Sequence, residues 1–577
     1  MSGIGLVLNI AKNALITQQY AMDVVSHNIA NVSTEGYSRQ TATIQSMTPA
    51  PYGGFVFGRG TTLESITRQV DAFVENRLRE RSSDLAASTE METYLKVVES
   101  VFDENSGRSI NSLLYSFWNA WHDLSNNPSG SAERTILYES GSLLSQAFQD
   151  IRNDLDSFDL ELNLSLEAAT GEVNQLTAQI AELNGQIMNM EIDGNANDLR
   201  DQRDNLVQKL ASFLEINTFS DSQGCITVTT GRGYTLVNKT STYDLSFEGG
   251  EVKWESSVGQ IPVTDSVQSG KMGGWLEMRD EILPKYKNEL DELAGTLIWE
   301  VNNVHSQGVG LTGSDDLTGT YETADAGEEL MTADSGLDFY DKISAGSFTV
   351  WVYDSNGDPD HSGTINVTAT TTLNDVIADI GASGTGIANI TATAVDGKLR
   401  LEADSGYSFG FADDTSGVLA ALGLNTFFDG SDSLSMDMNE TLASNQDLIA
   451  AGRADGSGQT AAGDNTNALA LAALRDDDGI ALERYDYDGN TTASTDTFQG
   501  YYAYLVGSVG IKSASVQREQ EYAEIVVNQL TEQRNDFSAV SLDEEMTNLI
   551  KFQQAYSAAA RLISTADEMF QTLLETR

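Results

Sequence analysis

The chain has 577 residues, of which 40% are hydrophobic, so it is long and apolar enough for several domains with cores of their own. Its 86 acidic and 33 basic residues leave a formal net charge of −53. Binding to nucleic acid or to an anionic membrane surface depends on basic patches, so this balance argues against both kinds of partner.

The sequence also contains no membrane span, since no apolar run reaches the roughly 18 residues that a spanning helix needs. The first residues lack the basic segment and the cleavage site of a secretory signal peptide. We therefore expect either a cytoplasmic protein or one that is secreted by a route that does not cleave its N-terminus.

Both ends of the chain carry apolar residues at alternating steps of four and three, which is the spacing of a coiled-coil seam. The N-terminal seam, interrupted by one polar residue at position 18, consists of Ile4, Leu8, Ala11, Leu15, Met22, Val25 and Ile29. The C-terminal seam consists of Leu549, Phe552, Tyr556, Ala559, Ile563, Ala566, Phe570 and Leu573. We expect the two ends to pair with each other, with neighbouring subunits, or both, and an ordinary pair of core helices is the alternative.

Between the ends, the patterns predict a helical rod followed by a short β-rich stretch. Apolar spacing indicates helices over about 110–126, 132–192, 196–214 and 275–304. The second of these would extend roughly 90 Å if unbroken, at 1.5 Å per residue. Runs rich in Thr, Val and Tyr between glycine pairs predict a β-meander at about 216–270.

Residues 311–500 hold 33 acidic and only 6 basic residues, which marks a change in composition. Short strand patterns around 348–352, 365–367 and 398–401, with a helix at 373–380, predict a β-rich insertion there. Helical spacing returns from about 467 and continues over 499–537. An acidic surface of this kind is most simply a solvated outer face.

The predicted fold is mainly α with β-rich parts, in a nested arrangement. A coiled-coil polymerisation domain would combine residues 1–40 and 540–577. A helical bundle domain with the β-meander would combine 41–310 and 465–539, and the acidic outer domain would span 311–464.

The residues that usually carry chemistry form no recognisable site in the sequence. The four histidines lie far apart, and no metal, phosphate-binding or nucleophile motif occurs. The acidic loop at 354–360 could offer oxygen ligands to calcium but lacks the glutamate that closes an EF-hand, and the loop at 486–490 is a weaker candidate. Cys225 alternates with Ile226 and Val228, which predicts a packed strand residue. We therefore predict a structural protein, not an enzyme, with no catalytic residue, cofactor or metal.

Two terminal motifs are more specific than their periodicity. The first is Asn28-Ile29-Ala30-Asn31, then Thr34-Glu35-Gly36-Tyr37-Ser38-Arg39-Gln40, and the second begins with Leu542-Asp543-Glu544-Glu545-Met546. Together they resemble the signatures of the bacterial flagellar axial proteins, and in particular the hook-associated protein 1 family. The chain departs from that pattern with His27 in place of Asn, and with Ala539-Val540-Ser541 in place of Gly-Val-Asn. Interior stretches at 273–280, 302–308, 422–428 and 463–468 are also similar, whereas 311–420 is looser.

The resemblance implies a structural subunit at the junction between the flagellar hook and filament, assembled through its terminal helices. It implies these partners: further copies of the chain in a ring or helix, the hook protein, a second hook–filament junction protein, and an export chaperone at the C-terminal region. It also implies unfolded export through the flagellar type III apparatus to an extracellular flagellum. The alternatives are another axial subunit (the second junction protein, a hook or rod subunit, or flagellin) and an acidic extracellular adhesin or enzyme.

Overall fold

A computed structural model describes residues 2–52, 55–102, 109–191, 195–256, 258–381 and 386–575, apart from the side chains of Ser2, Tyr52 and Leu573. The α-helices of these ranges are, in chain order, α1 (Ser2–Ala30), α2 (Ala72–Val101), α3 (Ile110–Asn126), α4 (Ser131–Met190), α5 (Asn197–Phe213), α6 (Gly270–Glu277), α7 (Leu283–His305), α8 (Leu373–Gly381), α9 (Val418–Ala421), α10 (Glu440–Ser444), α11 (Thr466–Ala473), α12 (Phe498–Ser538) and α13 (Leu542–Glu575).

The strands of the same ranges are short and pair only antiparallel. They are β1 (Gln40–Ser46), β2 (Ala50–Tyr52), β3 (Phe55–Phe57), β4 (Thr61–Arg68), β5 (Ile216–Ser220), β6 (Ile226–Thr230), β7 (Thr235–Asn238), β8 (Ser241–Thr242), β9 (Leu245–Glu248), β10 (Glu251–Ser256), β11 (Gly259–Pro262), β12 (Asp316–Thr318), β13 (Gly346–Tyr353), β14 (Pro359–Val367), β15 (Ile390–Val395), β16 (Lys398–Ala403), β17 (Ser408–Ala412), β18 (Phe428–Asp429), β19 (Asp437–Met438), β20 (Ala481–Tyr485) and β21 (Thr491–Thr495).

The chain divides into two compact units, each built from several segments. Unit 1 comprises Met1–Thr93, Glu161–Met278 and Ala514–Arg577, and unit 2 comprises Tyr94–Leu160 and Arg279–Ser513. The predicted division into a coiled-coil, a rod and an outer domain uses different boundaries and stays a prediction.

In unit 1, the predicted long helix and β-meander are confirmed. The part of α4 in this unit buries the heptad residues Leu162, Leu166, Val173, Ile180 and Ile187. The predicted meander forms two successive antiparallel sheets, with strand orders β5-β6-β7-β8 and β9-β10-β11. Val228, Val237 and Val252 of these strands are fully buried and contribute to the core of the unit.

In unit 2, α3 supplies one side of an aromatic core. Its apolar residues recur at helical spacing, and the hydroxyl of Ser109 caps the helix by accepting from the N–H of Ser112 at 3.2 Å. The aromatic core, whose side chains are at most 1% exposed, consists of Phe117, Trp118, Trp121, His305, Phe427 and Phe428. The predicted insertion is β-rich, with sheets ordered β14-β13-β17 and β12-β16-β15, and α8 packs on β15.

Candidate functional site

The two ends of the chain pair within unit 1. Helix α1 packs along α13, and it also packs on the strands β1 and β4 that follow it in the chain. Ala11 and Val25 of α1 are buried, as are Ala559 and Ala566 of α13. Alanine allows two helix backbones to approach closely, so these positions are suited to a helix–helix contact. The fold thus realises one of the pairings that the two seams allow.

The remaining residues of the N-terminal seam are only half-buried, and these are Ile4, Leu8, Leu15, Met22 and Ile29. The neighbouring face, with Thr17, Ala21, Val24 and Asn28, is more completely buried. That face lies against the β1–β4 ribbon, where the hydroxyl of Thr17 donates to the carbonyl of Thr61 at 3.1 Å. The helix therefore divides its apolar surface between a sheet and a helix, a distribution that heptad spacing alone does not reveal.

The C-terminal seam is covered unevenly. Leu549, Phe552 and Ile563 are half-buried, whereas Tyr556 and Phe570 are 37% and 39% exposed. The side chain of Leu573 lies outside the described part of the chain. The seam thus retains uncovered apolar surface after α1 and α13 have paired.

Further apolar side chains beside the two seams are exposed. We call this set the apolar flank, and it consists of Val7, Ile16, Tyr20, Leu542, Met546, Ile550, Leu562, Met569 and Leu574, each at least 41% exposed. Exposed apolar side chains in this number on two paired helices are typical of surfaces that other proteins cover.

A polar cluster joins the C-terminal end of α1 to the first turn of α13. We call it the terminal clasp, and it consists of Asn28, Tyr37, Arg39, Gln40, Glu544 and Glu545. Buried Asn28 uses both ends of its amide. Its Nδ2 donates to the carbonyl of Gln40 at 2.8 Å and to Oε2 of Glu545 at 3.0 Å. Its Oδ1 accepts from the Tyr37 hydroxyl at 2.8 Å and from the N–H of Gln40 at 3.0 Å. One side chain thus joins α1, the start of β1 and the first turn of α13.

Arg39 completes the clasp from the strand side. Its Nε donates to Oε1 of Glu545 at 2.9 Å, and its Nη1 donates to Oε2 of Glu544 at 2.7 Å. The Glu545 side chain is 2% exposed, whereas that of Glu544 is 61% exposed. Because a buried carboxylate must be compensated, Arg39 and Asn28 together make the position of α13 specific.

The segment between α1 and β1 is anchored to α5. Gly36 has a φ of +73°, at which other residues are strained, and a Cβ added there would also have to displace the side chain of Asn205. The N–H of Ser38 donates to Asp201 at 3.0 Å, and Arg68 forms an ion pair with the same carboxylate at 2.6 Å. Burial raises the pKa of Asp201, an effect that these two contacts partly offset.

Burial also raises the pKa of the Tyr37 hydroxyl, and the charges of Asp198 and Asp201 add to the effect. The phenol therefore stays protonated and can keep donating to Asn28 over the whole physiological pH range.

Sequence reasoning assigned assembly to the apolar seams and did not assign the clasp. The signal was nevertheless present, since all six clasp residues lie in the two terminal motifs. The motifs were used only as marks of resemblance, because nothing in the primary sequence relates position 28 to position 545.

The remaining candidates for chemistry in the sequence were the two acidic loops and Cys225. Among the described residues, no group of three His, Cys, Asp or Glu side chains is arranged to hold a metal ion. Asp354 and Asp486 each accept hydrogen bonds from N–H groups of their own turn, and these bonds lower the pKa of both carboxylates. Cys225 is buried directly before β6, where burial raises the pKa of its thiol.

None of the described helices has both the length and the hydropathy that crossing a membrane requires.

Comparison with known proteins identifies three stretches by family models. A model described as the flagellar hook-associated protein FlgK helical domain matches residues 95–319. The C-terminal model of the flagellar basal body rod FlgEFG proteins matches 533–576, and a flagella basal body rod protein model matches 8–37. The two rod models cover α1 from residue 8 onward and all of α13, and each includes residues of the clasp.

Whole-chain relatives point to the same group. The flagellar hook-associated protein 1 of Salmonella typhimurium is 27% identical over 595 aligned positions, which cover 99% of this chain and 100% of that protein. Its namesake in Bacillus subtilis is 26% identical and covers 98% of this chain and 97% of its own length. The flagellar hook junction protein FlgK of Burkholderia pseudomallei has a similar fold, with a TM-score of 0.51, 15% identity and coverage of 81% of this chain and 100% of its own.

Proposed function

Because the chain belongs to the flagellar hook-associated protein 1 family, the structural subunits of the hook–filament junction, we propose that it assembles there through α1 and α13. The observation that carries this proposal is the combination of a clasped helix pair with an uncovered apolar flank. The clasp sets the relative position of the two helices, and the flank supplies surface for neighbouring subunits.

The proposed assembly residues are the two seams together with the apolar flank. Within a subunit, the small residues Ala11, Ala559 and Ala566 support the intramolecular pairing by being buried. Between subunits, the exposed rings of Tyr556 and Phe570 and their neighbours in the flank would become covered. Burial of apolar surface contributes about 25 cal/mol per Å². A modest exposed area on each subunit is therefore sufficient to stabilise an assembly in which every subunit repeats the same contact.

The family assembles with other axial components of the flagellum, and we propose specific partners for this chain. These are further copies of itself, the hook protein on one side, a second junction protein on the other, and an export chaperone at the C-terminal region. In this proposal the subunit is extracellular and non-catalytic, and the acidic segment at 311–464 is an outer domain facing solvent. Another position in the axial structure is a weaker candidate, because the match over 95–319 is to the helical domain of hook-associated proteins.

The direct test is electron microscopy of flagella from a strain that lacks the gene. Loss of a junction subunit should leave bare hooks, with flagellin released into the medium. Normal filaments would contradict the junction role and would direct attention to the acidic insertion.

Variants of the seams then test how the subunit assembles. Ile563→Asp and Leu15→Asp should each cost several kcal/mol in the assembly, because they place an unpaired charge in a covered apolar surface. Ser564→Asp adds the same charge at an exposed neighbouring position and serves as the matched control. The proposed seams are wrong if the Ile563 and Leu15 variants cap hooks and support filament growth as well as the control does.

A further inference from the structure

Unit 1 contains a cavity of about 230 Å³ that concentrates arginine in a strongly acidic chain. We call it the arginine cavity, and its basic lining consists of Arg68, Arg79, Arg200 and Arg203. These residues come from β4, α2 and α5, and Thr218 and Ser220 of β5 add hydroxyl groups. Only 33 of the 577 residues are Lys or Arg, so four arginines at one cavity are not an effect of composition.

The carboxylates at the cavity do not neutralise these arginines completely. Three of them line it: Glu75, Asp204 and Asp221. Glu75 is already paired with Arg534 at 2.7 Å, and Asp221 with Lys239 at 3.6 Å. The six cations of the whole cluster are Arg68, Arg79, Arg200, Arg203, Lys239 and Arg534, and the five carboxylates are Glu75, Glu191, Asp201, Asp204 and Asp221. The cluster therefore carries one surplus positive charge although the chain has a net charge of −53.

Arg79 accounts for that surplus. Its guanidinium donates to the carbonyl of Glu75 at 3.2 Å, to the hydroxyl of Thr218 at 3.0 Å and to the side-chain amide oxygen of Asn76. All of these acceptors are neutral, and no ion pair of Arg79 occurs within the ranges that the structure covers. Burial lowers the pKa of Arg79, and the charges of Asp204 and Glu75 only partly offset that effect.

Two other arginines have unused hydrogen-bond donors. Arg203 is 4% exposed, and it donates from Nη1 to the carbonyl of Gly224 at 2.7 Å and to Oδ1 of Asn184 at 3.2 Å. Its Nε, like that of Arg200, is buried with no hydrogen-bond partner in the described part of the protein. Burial lowers the pKa of Arg203, and the charges of Arg68 and Arg200 lower it further. Buried donors without acceptors are costly, so a ligand that accepts from them would be stabilising.

We propose that the arginine cavity binds a small oxyanion of the phosphate or sulfate class. Arginine is the side chain best suited to such anions, because its planar group presents several donors in a fixed geometry. The volume is below the roughly 300–1,000 Å³ of pockets for drug-sized ligands. At about 30 Å³ per water molecule, it holds a small anion with part of its hydration shell. The bound anion would more than offset the single surplus positive charge, and it would tie β4, α2 and α5 together by accepting hydrogen bonds from all three.

The test is calorimetric titration of the full-length protein with inorganic phosphate and, separately, with sulfate, acetate and chloride at constant ionic strength. Phosphate and sulfate should bind with saturation and raise the melting temperature, since a ligand of the folded state stabilises it by mass action. Acetate and chloride should bind at least about tenfold more weakly, because each offers fewer acceptors to the arginines. Equal effects of all four anions would reduce the observation to ionic screening and would overturn the proposal.

The matched variants are Arg79→Gln and Arg77→Gln, both on α2. Arg77 is exposed and does not line the cavity, and its guanidinium lies over the ring of Phe73 at 5.9 Å. Loss of one charge-assisted contact should weaken phosphate binding about tenfold in Arg79→Gln and leave it unchanged in Arg77→Gln. If Arg79→Gln does not fold, Arg200→Gln tests the same cavity from α5. Unchanged phosphate affinity in the folded cavity variant would overturn the proposal.

Discussion

The aromatic core of unit 2 and the terminal helix pair of unit 1 both include amphipathic helices, yet they bury their apolar residues to very different degrees. Phe117 and Phe427 in the core are fully buried with ring centroids 5.7 Å apart. On α13, by contrast, Phe570 is 39% and Met569 is 55% exposed. The core is complete within one chain, whereas the helix pair keeps apolar surface uncovered.

This difference separates residues that fold the subunit from residues that assemble it. Substitution in the aromatic core should change the free energy of unfolding of the monomer. Substitution in the apolar flank should leave that quantity unchanged and affect only association. The terminal clasp lies between these cases, because it is buried in the monomer but positions a helix that other subunits would contact.

The largest effect on monomer stability is expected for Phe427→Ala. The ring lies against Phe117, Trp121, His305 and Phe428 in a fully buried position. Its loss leaves a cavity and should cost about 3–5 kcal/mol of unfolding free energy, measured by urea denaturation. Phe570→Ala is the matched control and should cost less than about 1 kcal/mol. Similar costs for the two variants would show that the helix pair is as complete a core as unit 2.

A pH-dependent effect is expected from His305, the titratable member of the aromatic core. Its Nδ1 lies 2.8 Å from the carbonyl of Asn425, and its Nε2 accepts from the N–H of Ala450 at 2.9 Å. Burial lowers the pKa of His305 from 6.5 to about 4. Below about pH 6.5 the His305 side chain binds a proton in the unfolded state but stays neutral in the folded state. The free energy of unfolding should therefore decrease as the pH is lowered to 4. The total loss is about 3 kcal/mol, at about 1.4 kcal/mol per pKa unit.

The check is a set of urea denaturations between pH 4 and pH 7, comparing the wild-type chain with His305→Gln. The variant should be less stable at pH 7 but should show a shallower decline over this range. An identical slope in the two proteins would mean that His305 is not the group responsible.

The clasp should show a smaller and more local effect. Asn28 and Arg39 each donate to a different oxygen of Glu545, so Glu545→Gln puts an amide NH2 group opposite one of these two donors. The substitution also removes the buried carboxylate from Arg39 and leaves it only the exposed carboxylate of Glu544. We expect a loss of about 2–3 kcal/mol, seen as faster hydrogen exchange along α13. Glu544→Gln changes the exposed partner of the same arginine and should cost less than about 1 kcal/mol. Equal effects of the two substitutions would argue that the clasp is an ordinary surface ion pair.

The smallest effect on the monomer is expected from the flank itself. Leu562→Ser and Met569→Ser alter side chains that are 49% and 55% exposed, so the unfolding free energy should change by no more than about 0.5 kcal/mol. Association should nevertheless be weakened, since the covered apolar area decreases. Sedimentation velocity of the purified chain and electron microscopy of complemented cells measure the two consequences. Normal assembly with both variants would remove the flank from the proposed interface.

Much of the fold could be predicted because its helices and strands are locally encoded. Heptad spacing indicated α1, α4 and α13, and the turn residues after position 126 indicated the end of α3. Residues 278–282 form a single π-helical turn, and Pro284 lies in the first turn of α7, where its missing N–H costs nothing. The apolar spacing predicts a helix over about 275–304 in which Pro284 marks a kink or a later start, and α7 does begin at Leu283. The π-turn itself was not predicted, because it leaves no signature in hydrophobic periodicity.

The assembly site, by contrast, could be predicted from local sequence patterns only in part. The seams were found because a repeat of three and four is visible in one dimension. Leu15 and Met22, however, are less buried than Thr17 and Ala21, because the β1–β4 ribbon packs on the face of α1 that contains Thr17 and Ala21. Heptad spacing shows which residues of a helix lie on one face. The elements that pack on the helix, here α13 and the β1–β4 ribbon, determine which of those residues are buried.

By itself, the amino-acid sequence determined the helical ends, the heptad stripes, the acidic β-rich insertion and the resemblance to flagellar hook-associated protein 1. These features depend on local propensity, periodicity and short motifs, which each segment carries independently of the rest. Only the tertiary structure decided that Asn28, Arg39 and Glu545 meet in one clasp and that four arginines surround one cavity. Those arrangements require residues separated by more than a hundred positions to come within hydrogen-bond distance, and this proximity is established by packing.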